Sequence, residues 1–138
     1  MTCVLCEAIN REESFITQTE HAYCMVPICA LKPGHVIVLP RRHVESLEDL
    51  SLDEAQGVLH LLGQLREVYR DKLEDPVIMM NTGYHSSQAH LHFHMVPSLG
   101  KLRTLVGMYE NIPPEPQRSI KEMQEMRDMV KKLLSNKL

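Results

Sequence analysis

Residues 89–96, Ala-His-Leu-His-Phe-His-Met-Val, alternate strictly between histidine and apolar side chains. No other stretch limits so sharply what the chain can fold into. A period of two is the mark of a β-strand, with His90, His92 and His94 on one side and Leu91, Phe93 and Met95 on the other, against a core. Alternate residues of a strand lie about 6.5–7 Å apart, which separates the Cα atoms of His90 and His94 by roughly 13 Å. A zinc-bound imidazole must bring its nitrogen to about 2.0–2.1 Å from the metal. Two neighbouring rings can share an ion, but three on an unbroken strand would be badly strained. Two readings then remain: polar residues on one face of a sheet, or a site in which the rings divide the work. Imidazole titrates near pH 6.5, so such a group offers a nucleophile, a proton donor and a hydrogen-bonding partner near neutrality. No Ser-His-Asp spacing and no Walker-type glycine loop competes for that role.

The flanking sequence predicts the frame around this strand. "SFITQT" and "HAYCMV" read as two short strands that can pair, "LKPGH" as a turn, and "HVIVLP" as a buried strand ended by Pro40. From about Leu47 to Tyr69 the period becomes helical, with Leu52, Ala55, Val58, Leu59, Leu62, Leu65 and Tyr69 recurring and a capping-box pattern at Ser51–Glu54. Asp75-Pro76 breaks that helix, and "VIMMN" reads as a strand leading into the loop "NTGYHSS". Residues 113–117 form a Pro-rich linker, and "SIKE" caps a C-terminal helix over 118–138 whose stripe is Ile120, Met123, Met126, Val130, Leu133 and Leu134. Met123, Met126 and Met129 are expected to face a core. Together these predict an α+β fold: an antiparallel β-sheet of about five strands, one long central helix and a C-terminal helix.

At 138 residues the chain predicts a single domain spanning 1–138. A net charge of −3, without long runs of Lys or Arg, argues against an extended nucleic-acid surface and leaves small phosphorylated ligands open. No apolar run approaches the roughly 20 residues of a membrane span, and the first ten residues lack the pattern of a secretory signal, so a cytoplasmic protein is expected. Four cysteines there are thiols or metal ligands rather than disulfides. Cys24 and Cys29 read as small core residues. Cys3-x-x-Cys6 is ambiguous by itself; no strand can precede it, which counts against a redox pair, and a zinc site would need two more ligands. His21 and His60 take surface or packing roles, while His85 sits in a loop that could reach a ligand.

The segments "KPGHVIVLPRRHVESLEDLS" and "HLHFHMVP" resemble the two signature stretches of the histidine triad family, whose motif is His-φ-His-φ-His-φ-φ. "HLHFHMV" matches it at every position. The resemblance implies that His92, the middle histidine, is the nucleophile that attacks the α-phosphorus of a nucleoside phosphate. A nucleotidyl-histidine would form and be resolved by water or another acceptor. It implies that His94 hydrogen-bonds the phosphate or leaving group and that His35 lies beside His92 and orients its ring. Asn81, Ser87 and Gln88 fall where members place polar groups around the phosphate. The implied function is a nucleotide hydrolase or nucleotidyl transferase acting on a dinucleoside polyphosphate or nucleoside phosphoramidate. The alternative is a nucleotide-binding or partner-binding module with weak or no turnover.

The zinc-containing branch of the family completes a Cys₂His₂ site with a histidine after the Pro-Gly-His strand and with the first triad histidine. By that resemblance those residues would be His43 and His90, joining Cys3 and Cys6 around a structural zinc. Members are commonly homodimers. One departure stands out: many nucleotide-binding members carry an aspartate for the ribose hydroxyls eight residues before the Pro-Gly-His histidine, and here that position is Pro27.

Overall fold

The computed structural model describes residues 3–12, 14–82, 89–98, 100–113 and 115–135. The chain divides into two compact units, Met1–Gly100 and Lys101–Leu138.

The first unit is a five-stranded sheet with helices on both faces. Its strands are β1 (Phe15–Gln18), β2 (Ala22–Met25), β3 (Val36–Pro40), β4 (Pro76–Met79) and β5 (Phe93–Pro97), in the order β1-β2-β3-β5-β4. Every pairing is antiparallel. The expected strands thus form, and the sequence-distant β3 and β5 meet at its centre.

β2 and β3 are buried along their whole length, because a helix covers each side. Ala22, Cys24, Val36, Val38 and Met95 pack with Val58, Leu61 and Leu62 of α2 (Leu52–Lys72). Tyr23, Met25, Ile37 and Leu39 pack with Leu5, Ala8 and Ile9 of α1 (Val4–Arg11). Each fully buried aliphatic chain contributes roughly 1.5–3 kcal/mol, which explains why "HVIVLP" reads as continuously apolar rather than alternating.

α2 begins at the anticipated capping box: Ser51 Oγ accepts from the Glu54 amide at 3.1 Å, and Glu54 Oε1 accepts from the Ser51 amide at 3.0 Å. The residues just before it, Leu47–Asp49, form a short 3-10 turn. Leu52 and Leu59, assigned to the apolar stripe, point to solvent, and Leu61 takes a core position. α1 was not anticipated. It is eight residues long, and its N-cap is Cys3, whose sulfur accepts from the Cys6 amide at 3.4 Å.

The second unit contains α3 (Leu102–Glu110), also unanticipated, and α4 (Ile120–Leu134). Ser119 and Glu122 form the expected reciprocal cap at the start of α4. α4 buries none of its residues, so Met123, Met126 and Met129 are solvent-facing rather than the core stripe expected of them. No helix among the described residues is long and apolar enough to cross a membrane.

Candidate active site

Three backbone features place the histidines. The turn before β3 needs Gly34, which has φ +91°; a Cβ there would also come within 2.7 Å of Pro97 Cγ, so only glycine fits. Tyr69 of α2 donates its hydroxyl proton to the Gly34 carbonyl at 2.7 Å and holds the turn that presents His35. On the other chain segment, β5 starts at Phe93, so His90 and His92 precede the ladder instead of lying in it. That corrects the expected eight-residue strand: the Leu91 amide donates to the Val44 carbonyl at 2.7 Å, and the segment 90–92 is held by such individual contacts.

The hydrogen bonds fix which nitrogen of each ring carries the proton, because backbone amides only donate and carbonyls only accept. His92 Nδ1 lies 2.7 Å from the His90 carbonyl. Nδ1 therefore holds the proton and the lone pair is on Nε2. His35 Nδ1 accepts from the Leu31 amide at 2.9 Å, so its Nε2 donates to His94 Nδ1, also at 2.9 Å. A neutral His94 then carries its own proton on Nε2.

His94 stays neutral. Burial pushes its pKa down to about 4, with His92 and His35 adding to the effect. His35, 3 % exposed, is also shifted down by burial. The rings of His92 and His94 stand edge to face with centroids 5.0 Å apart.

These rings close one end of a cavity of about 210 Å³. Most of its other lining is apolar, with Val4, Leu5 and Ala8 from α1, Met25 and Ile37 from the sheet, and Pro27 and Ile28 from the loop after β2, while Ser14 before β1 adds a polar side chain. Cys29 lines the same cavity and is exposed, which corrects its assignment to the core; Cys24 is fully buried, as expected. The α1 wall was invisible in the sequence because its apolar residues belong to a helix that carries no conventional capping signature.

His35, His92 and His94 are thus brought together, but His35 hydrogen-bonds His94, whereas the resemblance placed it against His92. His92 is oriented by a main-chain carbonyl instead. Asn81 is exposed, two residues beyond β4, and is not among the described residues lining the cavity. Ser87 and Gln88, and likewise His85, lie outside the described residues. His60 is exposed on α2 and His21 is partly buried before β2.

A second cluster lies on the other side of residue 90. The ligand atoms of Cys3, Cys6, His43 and His90 all fall within 4.8 Å of one another. His90 Nδ1 is 3.6 Å from Cys3 Sγ and 3.4 Å from Cys6 Sγ, and His43 Nδ1 is 3.4 Å from Cys6 Sγ. In a tetrahedron with Zn–S near 2.3 Å and Zn–N near 2.0–2.1 Å, adjacent S and N atoms lie roughly 3.5 Å apart. The spacing fits zinc.

The outer nitrogens are also occupied in the way metal-binding histidines require. His90 Nε2 donates to the Pro40 carbonyl at 2.8 Å, and His43 Nε2 is 3.1 Å from Glu45 Oε1. Both inner nitrogens therefore present lone pairs to the sulfurs. Burial raises the Cys6 thiol, with the neighbouring Cys3 adding to it, to about 11. At Cys3 burial acts upward too, but hydrogen bonds from the Cys6 amide and thiol bring it below its ordinary value. A bound zinc would hold both sulfurs as thiolates.

A sheet with helices on both faces, carrying a histidine pair over a cavity and a Cys₂His₂ cluster, defines a histidine triad domain. The chain belongs to that family: the family model described as "Scavenger mRNA decapping enzyme C-term binding" matches residues 2–103. Among curated relatives it is similar to "Protein hit" of Bacillus subtilis, 26% identical over 106 residues covering 72% of each chain. It is 24% identical over 101 residues to the adenosine 5′-monophosphoramidase hnt1 of Schizosaccharomyces pombe, covering 70% of this chain and 74% of that one. A third relative, the galactose-1-phosphate uridylyltransferase of Haemophilus influenzae, is 27% identical over 114 residues, which are 74% of this chain but 32% of the transferase. Solved structures share the fold. The histidine triad nucleotide-binding protein of Candida albicans aligns with a TM-score of 0.74 at 19% identity, covering 98% of this chain and 99% of that one. The Zn-bound histidine triad family protein of Mycobacterium smegmatis aligns at 0.64 with 24% identity, covering 74% and 80%.

Proposed function

We propose that this chain is a nucleotide hydrolase or nucleotidyl transferase that cleaves at the α-phosphorus of a nucleoside phosphoramidate or dinucleoside polyphosphate. The observation that carries the reading is the bond from His92 Nδ1 to the His90 carbonyl, which leaves the Nε2 lone pair on a ring that lines the cavity. Relatives named as a phosphoramidase and a uridylyltransferase support the same chemistry.

In the first step His92 Nε2 bonds to phosphorus as the bond to the leaving amine or phosphate breaks. The Nε2–H of His94 donates a hydrogen bond to that departing group, whose proton comes from solvent, and His35 holds the opposite nitrogen of the His94 ring. Water, or another acceptor, then bonds to phosphorus as the P–N bond to His92 breaks and releases the nucleoside monophosphate or its transferred form. With water the balance is one substrate and one water giving one nucleoside monophosphate and the protonated leaving group. The apolar walls exclude water from the base side and give a flat ring an area to bury against.

The reading includes polar phosphate contacts from Asn81, Ser87 and Gln88, and a zinc-containing, cytoplasmic homodimer formed by one domain of residues 1–138. The alternative, a nucleotide-binding module with weak turnover, is favoured by Pro27, which lines the cavity and has no side-chain group for a ribose hydroxyl. A turnover screen over nucleoside phosphoramidates, dinucleoside polyphosphates and nucleotide sugars separates the two. Cleavage at the α-phosphorus of at least one class is expected; nucleotide binding without turnover across the panel would establish the module.

A further inference from the structure

We propose that the Cys3–Cys6–His43–His90 group is a positioning device for the nucleophile: zinc bound there locks His92 in the tautomer that presents Nε2 and seats one wall of the substrate cavity. This rests on the reading of His92 as nucleophile, and its test is separable from that reading.

One residue joins the two sites. His90 turns Nδ1 to both sulfurs, donates Nε2–H to the Pro40 carbonyl at 2.8 Å, and offers its own carbonyl to His92 Nδ1 at 2.7 Å. The β3–β5 register runs only over Phe93 to Met95, so the sheet ladder does not hold this carbonyl. Its direction depends on the anchored ring on one side and on the Leu91 amide bond to Val44 on the other. Without the metal the ring loses its inner anchor, because two thiols at 3.4–3.6 Å are weak partners compared with a coordinate bond. A freed carbonyl no longer selects the Nδ1–H form of His92. A ring with its proton on Nε2 has no lone pair there to give to phosphorus.

The second arm runs through α1. Cys3 is its N-cap and Cys6 lies within it, while Val4, Leu5 and Ala8 of the same helix line the cavity. Eight residues do not hold a helix in water unaided, so the metal tether and the packing of Leu5, Ala8 and Ile9 together fix this wall. The carbonyl acts on the chemical step and the wall on substrate binding, so metal loss strikes kcat and KM separately.

The test uses full-length protein labelled with ¹⁵N-histidine, compared zinc-loaded, chelator-treated and as His43→Gln, with zinc content measured alongside. In the loaded protein the long-range ¹H–¹⁵N spectrum should show His92 as a single Nδ1–H tautomer. On zinc removal that signature should average between tautomers, kcat should fall at least tenfold and KM should rise severalfold, all recovering when zinc is returned. If the metal-free chain unfolds, His43→Gln carries the test, because it removes one exposed ring and keeps three ligands; it should show a smaller shift in the same direction. An unchanged His92 tautomer with kcat within twofold after zinc removal would overturn the proposal, as would full turnover in protein containing no zinc. A zinc-dependent His92 tautomer in a protein that turns nothing over would overturn the enzymatic reading and leave the coupling standing.

Discussion

His90 and His92 are two residues apart and use their nitrogens in opposite ways. His90 is fully buried and both its nitrogens are engaged, one by the Pro40 carbonyl and one by two sulfurs. His92 commits one nitrogen to a carbonyl and keeps the other lone pair at a cavity wall. In the proposed reading the same side chain, in the same short segment, serves as a metal ligand in the first setting and as a nucleophile in the second. What separates the two is the partner of each ring, and neither identity nor spacing supplies that.

The largest effect that tests this contrast is His92→Ala. Turnover should fall at least about a thousandfold, with circular dichroism and zinc content unchanged; retained turnover would remove the distinction between the two rings. His94→Ala should cost about a hundredfold in kcat, read as loss of the hydrogen bond to the leaving group, with a smaller deficit for substrates whose leaving group is already stable as an anion.

The same contrast has a pH signature. Folded His94 takes a proton only near pH 4, and an unfolded histidine near 6.5. Between those values the unfolded chain binds more protons, so stability falls as the pH is lowered from about 6.5 toward 4 and is unaffected by this group above 6.5. Glu54 behaves differently: hydrogen bonds from Arg42 and Ser51 hold it near 2, so its contribution is lost only below the ordinary carboxylate range, near 4.5. Thermal melts from pH 7.5 to 4.5 should show the decline, and His94→Gln should lessen it, buried His35 keeping part of the slope. A slope unchanged in that variant would assign the effect to other groups.

Tyr69→Phe removes the hydrogen bond to the Gly34 carbonyl and should destabilise the protein by about 1 kcal/mol. Because that turn presents His35, a severalfold drop in kcat should accompany it while zinc content stays the same. Smallest of all is Tyr23→Phe. The Tyr23 hydroxyl is buried and has no hydrogen-bond partner among the described residues, so its removal should leave the melting temperature unchanged or slightly raised.

Much of the frame was legible because local signals agreed with the tertiary outcome. The capping boxes at Ser51–Glu54 and Ser119–Glu122 mark real helix starts, and the β-branched run at 36–39 is a central strand buried on both faces. The alternation at 89–96 was informative but incomplete. It placed His94 and Met95 on opposite sides of β5, yet it extended the strand through His90, where individual carbonyl and sulfur contacts replace the ladder. α1 was hidden because a sulfur, rather than a hydroxyl or carboxylate, caps it. α3 was hidden because its N-cap, Lys101, makes no side-chain cap at all. The four candidate zinc ligands could be inferred only through family resemblance, since residues 3, 6, 43 and 90 are joined by folding and by nothing local. The pairing of His35 with His94 was beyond sequence for the same reason: it depends on which ring nitrogen the Leu31 amide occupies.

The proposed reaction turns on a covalent bond between His92 Nε2 and phosphorus. Rapid acid-free quenching of the protein with a radiolabelled nucleoside phosphoramidate, followed by peptide mapping, measures this directly. A base-stable, acid-labile nucleotidyl group should form on His92 within the first turnover and be absent from His92→Ala. Steady turnover with no adduct, or an adduct carried by His90 or His94 instead, would contradict it.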